Sequence, residues 1–130
     1  MASDLFVMDS NVFVSFYCRD DERHADAIRV MRELGGKLLV VHPYVIQETA
    51  TVLMYKLGPI ASRTFLNDIT ATFHINIPAV DIRYDIELFK KTNKKISLTD
   101  VVLVDLAHRM NAHLVTFDKD MLALFKSGSL

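Results

Sequence analysis

One cysteine, Cys18, stands alone in 130 residues, so no intramolecular disulfide can staple the chain, and a reducing intracellular setting is the natural expectation. With no second cysteine and five histidines that show no ligand spacing, a zinc centre has no donor set. Surplus charge is also missing. The formal net charge of −1 argues against a broadly basic coat for nucleic acid while leaving room for a local basic rim. No apolar run is long enough to span a bilayer, and the first residues carry no signal-peptide pattern, so a soluble cytoplasmic protein without a membrane partner is expected. Repeats, low-complexity tracts and linkers are absent as well. A composition of 51% hydrophobic and 24% charged residues is globular in balance, and residues 1–130 are expected to form one domain with a real hydrophobic core.

The apolar run Leu5–Met8 reads as a buried first strand, closed by Asp9-Ser10-Asn11, with a short helix over Val12–Tyr17 capped by Ser10 or Asn11. Between Asp21 and Leu34, Ala25, Ile28, Met31 and Leu34 suggest an amphipathic helix stopped by Gly35-Gly36. Leu38–Val41 reads as a second strand. Pro43 opens a helix running to Leu57, where Gly58-Pro59 breaks it; Val45, Ile46, Thr49, Val52, Leu53 and Leu57 form its core face, with Glu48 at the margin. A helix over Ile60–Phe73, a strand over His74–Ile77 and a helix from Val80 to Asn93 follow, and then the basic connector Lys90-Lys-Thr-Asn-Lys-Lys95. Met121–Lys126 suggests a last helix and Ser127–Leu130 a loose tail. Strands alternating with helices and helix pairs predict an α/β layered domain on a mainly parallel sheet.

The most informative stretch runs from Ser97 to Met121. Ser97 is a good N-cap, and Asp100 three residues on can complete a capping box. Val102, Leu103, Leu106, Ala107 and Met110 share one face of the helix that follows, Asp100 projects at that face's edge, and Asp105 falls on the opposite, solvated side. An ionised carboxylate looking inward from a helix start is costly unless a cation meets it. His113–Thr116 then reads as a buried strand with Asp118 and Asp120 just beyond its end, and in parallel α/β sheets sites assemble at that edge. Asp9, Asp100 and the Asp118/Asp120 pair, with Glu48 on an early helix, can therefore converge. Carboxylates without clustered sulfur or imidazole favour hard cations, so Mg²⁺ or Mn²⁺ is expected.

Four motifs in this order resemble the PIN-domain family, and more narrowly the VapC-like toxin ribonucleases: Asp9-Ser-Asn11 after the first strand, Glu48 within Val45-Ile-Gln-Glu-Thr, Ser97-Leu-Thr-Asp100 opening a helix, and Val115-Thr-Phe-Asp118 ending a strand. The resemblance covers nearly the whole chain. It implies a three-layer α/β/α domain with a central, mainly parallel sheet of four or five strands. It also implies a metal-dependent endoribonuclease in which Asp9, Glu48, Asp100 and Asp118 form the acidic quartet, Asn11 and Thr116 orient carboxylates or water, and Asp120 is an additional acid. A VapC-like protein implies RNA as substrate, a homodimer and a cognate antitoxin that places an Arg or Lys among the acids.

Each motif also has a plainer account. Asp9 reads equally as a strand-end cap, Glu48 as an ordinary half-exposed helix residue, and Asp120 as the cap of the last helix. The lysines of the 90–95 connector read first as a solvated helix end, with contact to RNA as the sharper alternative. Cys18 and the cluster Phe13, Phe16 and Tyr17 read first as core, and the histidines as structural. A phosphatase of the haloacid dehalogenase type would need a second Asp two residues after Asp9, where Asn11 stands, and a receiver domain would need an acid pair after the first strand. A non-catalytic PIN-fold module binding RNA or protein, and a PIN nuclease in RNA processing outside toxin–antitoxin pairs, stay open.

Overall fold

A computed structural model describes residues 4–128. Strand β1 (Leu5–Met8) leads into α1 (Ser10–Tyr17) and α2 (His24–Glu33), then β2 (Leu38–Val40), α3 (Pro43–Leu57), α4 (Pro59–Ala71), β3 (Ile75–Asn76), α5 (Ile82–Lys90), α6 (Leu98–Arg109), β4 (His113–Val115) and α7 (Lys119–Ser127). The sheet has four strands in the order β3-β2-β1-β4, every neighbouring pair parallel, with Val7 opposite Val40 on one side and Leu114 on the other. Parallel strands need crossovers, and here each crossover is a helix pair. Helices α1 to α4 pack on one another, and α5 and α7 pack on α6, which lies against β1 and β4. The result is a three-layer α/β/α sandwich.

Because both faces of the sheet are covered, β1 has no polar side: Val7 and Met8 are fully buried beside Val40, Val41, Leu103, Val104 and Ala107. Phe65 of α4 closes the other layer against Phe13 and Tyr17. Each fully buried Val, Leu, Met or Phe side chain here contributes about 1.5–3 kcal/mol through burial.

The chain adds β2 and β3 to one side of β1 and then crosses back to place β4 on the other. The crevice between β1 and β4 is thus the topological switch point of the sheet, where α/β proteins open a site beyond the strand ends.

Several sequence expectations change in detail. Helix α1 begins at Ser10, and its cap is Asp9, whose Oδ1 accepts from the Ser10 amide at 2.7 Å, rather than Ser10 or Asn11. Helix α2 begins only at His24 and buries Ala27, with Val30, Met31 and Leu34 against the core, while Ala25 is exposed. Leu57, the last residue of α3, lies beyond the core and is exposed, as is Phe73 after α4. Only Ile75 and Asn76 of the 74–77 segment pair as a strand. Helix α5 is shorter than expected because Asp81 caps it, accepting from the Tyr84 amide at 3.1 Å. Asp105 is not simply solvated: it is half-buried, pairs with Arg109 at 2.7 Å and accepts from the Tyr84 hydroxyl at 3.1 Å. Ser127 belongs to α7, and Gly128 takes the left-handed C-cap conformation at φ 75°; the remainder of the expected tail lies outside the described residues.

Candidate active site

The strand ends at the switch point are tied together by one hydroxyl. Thr116 Oγ1, just past β4, donates to Asp9 Oδ2 at 2.7 Å, just past β1. The same oxygen accepts from Asn11 Nδ2 at 3.2 Å and from the Asp118 amide at 3.0 Å. Asn11 Oδ1 accepts from the Phe117 amide at 3.2 Å, which fixes the orientation of the Asn11 side chain. Asp9 is therefore held at both carboxylate oxygens, by Ser10 and by Thr116, in a buried position. Burial pushes its pKa up, the two hydrogen bonds pull it back, and the charge of Asp118 pushes it up again.

Asp118 is exposed and doubles as the cap of α7, its Oδ1 accepting from the Asp120 and Met121 amides at 3.0 and 3.1 Å. This assigns to Asp118 the capping role that the sequence suggested for Asp120, which sits in the first turn instead. Only one oxygen of Asp118, Oδ1, is used by the cap.

Asp100 opens α6, where Ser97 Oγ accepts from its amide at 3.1 Å. Its carboxyl is half-buried and pushed up to about 6, first by burial, then by the charges of Asp9 and Asp118; the Ser97 hydroxyl lowers it, and Glu48 adds a further push upward. Asp100 thus feels acids from the end of β1, the end of β4 and helix α3. Among the described residues, no ion pair involves Asp9, Glu48, Asp100, Asp118 or Asp120.

Two clefts flank the start of α6. A cleft of about 420 Å³ is lined by Asp100, Asp118 and Asp120, by Lys94 and Lys95, and by apolar Ile96, Met121 and Leu124. A second, of about 390 Å³, contains Glu48 with Tyr44 and Gln47, and Ser97 lines both.

The sequence profile of the PIN domain matches residues 6–126. The chain belongs to the PIN-domain family. The PIN fold is also seen in the similar crystal structure of Mycobacterium tuberculosis VapC20, a sarcin-ricin loop cleaving toxin, with a TM-score of 0.78 over 96% of this chain and 96% of that one. Sequence identity is 17%, so the likeness is one of fold. No curated protein matches the chain.

Within the PIN fold, the residues singled out from sequence meet in graded fashion. Asp9, Asn11, Thr116 and Asp118 are joined by hydrogen bonds, Asp100 is linked to Asp9 and Asp118 through charge, and Glu48 stands exposed in the adjoining cleft. Among the described residues, however, no three acidic, imidazole or thiol side chains are gathered closely enough to make a ready metal-ligand group. The carboxylates repel at a distance rather than sharing one point. Ser97 and Ser10, which position Asp100 and Asp9 through backbone amides and hydroxyls, belong to the same edge; as polar cap residues after and before apolar runs they were visible as helix starts only.

The other polar features have structural explanations. Cys18 is buried, His113 stacks on Phe6, and His108 stacks on Phe125 with Nε2 at 2.8 Å from the Phe125 carbonyl. Among the described residues no helix is long and apolar enough to cross a membrane.

Proposed function

We propose that the chain is a single metal-dependent endoribonuclease domain in which Asp9, Glu48, Asp100 and Asp118 hold Mg²⁺ or Mn²⁺ and water cleaves an RNA phosphodiester bond. The observation that carries this reading is the approach of acids from β1, α3, α6 and β4 to one edge where, among the described residues, no cationic side chain is paired to any of them. Hard carboxylate oxygens suit Mg²⁺ or Mn²⁺. The neighbouring charges that push Asp9 and Asp100 upward are a cost that a divalent ion would remove.

Each residue has a part in this account. Asp100, Asp118 and Asp9 would be the principal ligands, with Glu48 contributing from the second cleft directly or through water. Thr116 and Asn11 hold Asp9 in one orientation, and Asp120 is a supplementary acid on the cleft wall. A bound ion would supply Lewis-acid polarisation of the phosphoryl oxygen and a more acidic water. No side-chain nucleophile is needed, in keeping with the burial of Cys18.

The family resemblance and the fold of VapC20 support a VapC-type toxin in the cytoplasm, restrained by an antitoxin whose Arg or Lys would pair with the acids. Single-stranded or loop RNA is the substrate class to try first. A homodimer is supported by α5, where Ile82, Ile86 and Phe89 form a stripe on one face and remain 49%, 45% and 39% exposed. The scattered disposition of the carboxylates favours a second reading, a PIN module that binds RNA or protein without cutting. Incubation with loop-containing RNA decides between them: the nuclease cuts in Mg²⁺ or Mn²⁺, stops in excess chelator and leaves no 2′,3′-cyclic phosphate. Binding without cutting in either metal would establish the module.

A further inference from the structure

The 420 Å³ cleft that holds the acids is also lined by two lysines. Lys94 and Lys95 lie in the connector between α5 and α6, whose two ends are fixed: Lys91 caps α5, and Ser97 caps α6 three residues before Asp100. The Ile96 amide donates to the Lys94 carbonyl at 2.9 Å, tightening the turn that carries both lysines. Lys90 is committed to Glu87 at 3.3 Å, whereas neither Lys94 nor Lys95 enters an ion pair among the described residues, and both are exposed. Two ammonium groups outside any ion pair among the described residues therefore share one cleft with Asp100, Asp118 and Asp120 and with apolar Ile96, Met121 and Leu124.

A polyanion drawn to that cleft meets repulsion from its carboxylates and attraction from its lysines. We propose that Lys94 and Lys95 are positioning residues that hold the phosphates of the RNA strand next to the bond being cut. This rests on the nuclease reading above. Lysine acts here as a point charge on a flexible stem, which suits backbone phosphates and conveys no base preference. The chain as a whole has no positive surplus, so a pair of lysines in the cleft places binding strength where the acids are.

The test compares the double variant Lys94→Ala/Lys95→Ala with Lys94→Arg/Lys95→Arg and with Lys37→Ala, which removes a charge ahead of β2 at the opposite edge of the sheet. Binding of a fluorescent single-stranded RNA is followed by anisotropy in Mg²⁺ on an Asp100→Asn background, where the strand stays intact, and cleavage kinetics are measured with Asp100 restored. Losing two phosphate contacts is expected to weaken binding roughly tenfold and to flatten the plot of log affinity against log salt by about 1.4. KM is expected to rise with kcat little changed, the signature of lost uniform binding. The Arg pair retains affinity and Lys37→Ala has no effect. Unchanged affinity and salt slope in the alanine pair, or an equal loss from Lys37→Ala, would overturn the assignment. If the unaltered protein cuts RNA and the alanine pair cuts it with the same KM, only the lysine proposal falls; if the unaltered protein neither binds nor cuts RNA, the nuclease reading falls with it.

Discussion

Replacing Asp100 by Asn should make the protein more stable at neutral pH. The carboxyl titrates near 6 instead of its ordinary 3.8, chiefly through burial and the charges of Asp9 and Asp118. At full strength such a displacement penalises the ionised form by about 3 kcal/mol, since each factor of ten is worth 1.36 kcal/mol. Asp100 is only half-buried, so solvent screening reduces this to about 1 kcal/mol. Asn keeps the shape and the backbone hydrogen bond to Ser97 while removing the charge, and a gain of about 1 kcal/mol raises the melting temperature by roughly 3–5 °C in a domain of this size. The pH dependence supplies the sign. The folded state holds the Asp100 proton more tightly than the unfolded chain, so the unaltered protein gains stability as pH falls through 6 toward 3.8, and the advantage of Asn vanishes there. Urea unfolding of both proteins at pH 7.5, 6 and 4.5 is the assay. A variant that is less stable at pH 7.5, or a difference that does not shrink on acidification, would refute the electrostatic account of this edge.

Three further outcomes follow from the same geometry. Thr116→Val removes the hydroxyl that donates to Asp9 and should cost about 1–2 kcal/mol in urea unfolding, with the Asp9 pKa rising further in an NMR titration. Phe65→Ala empties a fully buried position beside Phe13 and Tyr17 that lines neither cleft; stability should drop by about 3–5 kcal/mol, while RNA cleavage below the lowered melting temperature is retained. His42 is buried, which lowers its pKa below the ordinary 6.5 despite the opposing charge of Asp85, so the unfolded chain binds its proton first and stability contributed by the neutral ring is lost as pH falls below 6.5. On the Asp100→Asn background, where the opposing trend is removed, unfolding at pH 7.5 and 5.5 should show that loss, and a flat profile would contradict it.

Features fixed by local chemistry were legible before the fold was known. Ser97, Pro43 and Gly58 mark helix ends because caps and ring constraints act within a few residues, and β1, β2 and β4 stand out because both faces of a parallel sheet demand continuous apolar runs. The order of acids at strand ends and helix starts was legible for the same reason. What stayed hidden depends on partners distant in the chain. Helix α5 turns its Ile82, Ile86 and Phe89 stripe outward and buries Asp85, 4% exposed, where Tyr44 of α3 donates to Asp85 Oδ2 at 2.7 Å. Nothing in the α5 sequence announces that inversion. The Asp105 environment likewise depends on Tyr84, 21 residues away, and the pairing of Asp9 with Thr116 spans 107 residues. The sequence suggested Asp120 as the cap of α7, since an acid just past β4 suits that place; the backbone path after β4 gives the role to Asp118.

The central claim, that the acids of the strand-end edge act as one metal site for cutting RNA, is tested most directly by titrating Mn²⁺ calorimetrically into the unaltered protein and into Asp9→Asn, Glu48→Gln, Asp100→Asn and Asp118→Asn, with cleavage of one loop RNA measured on the same samples. The account predicts that each substitution weakens Mn²⁺ binding and slows cleavage together, with Glu48→Gln the mildest because it stands in the second cleft. Mn²⁺ affinity unchanged in all four, or cleavage that persists in excess chelator, would contradict it.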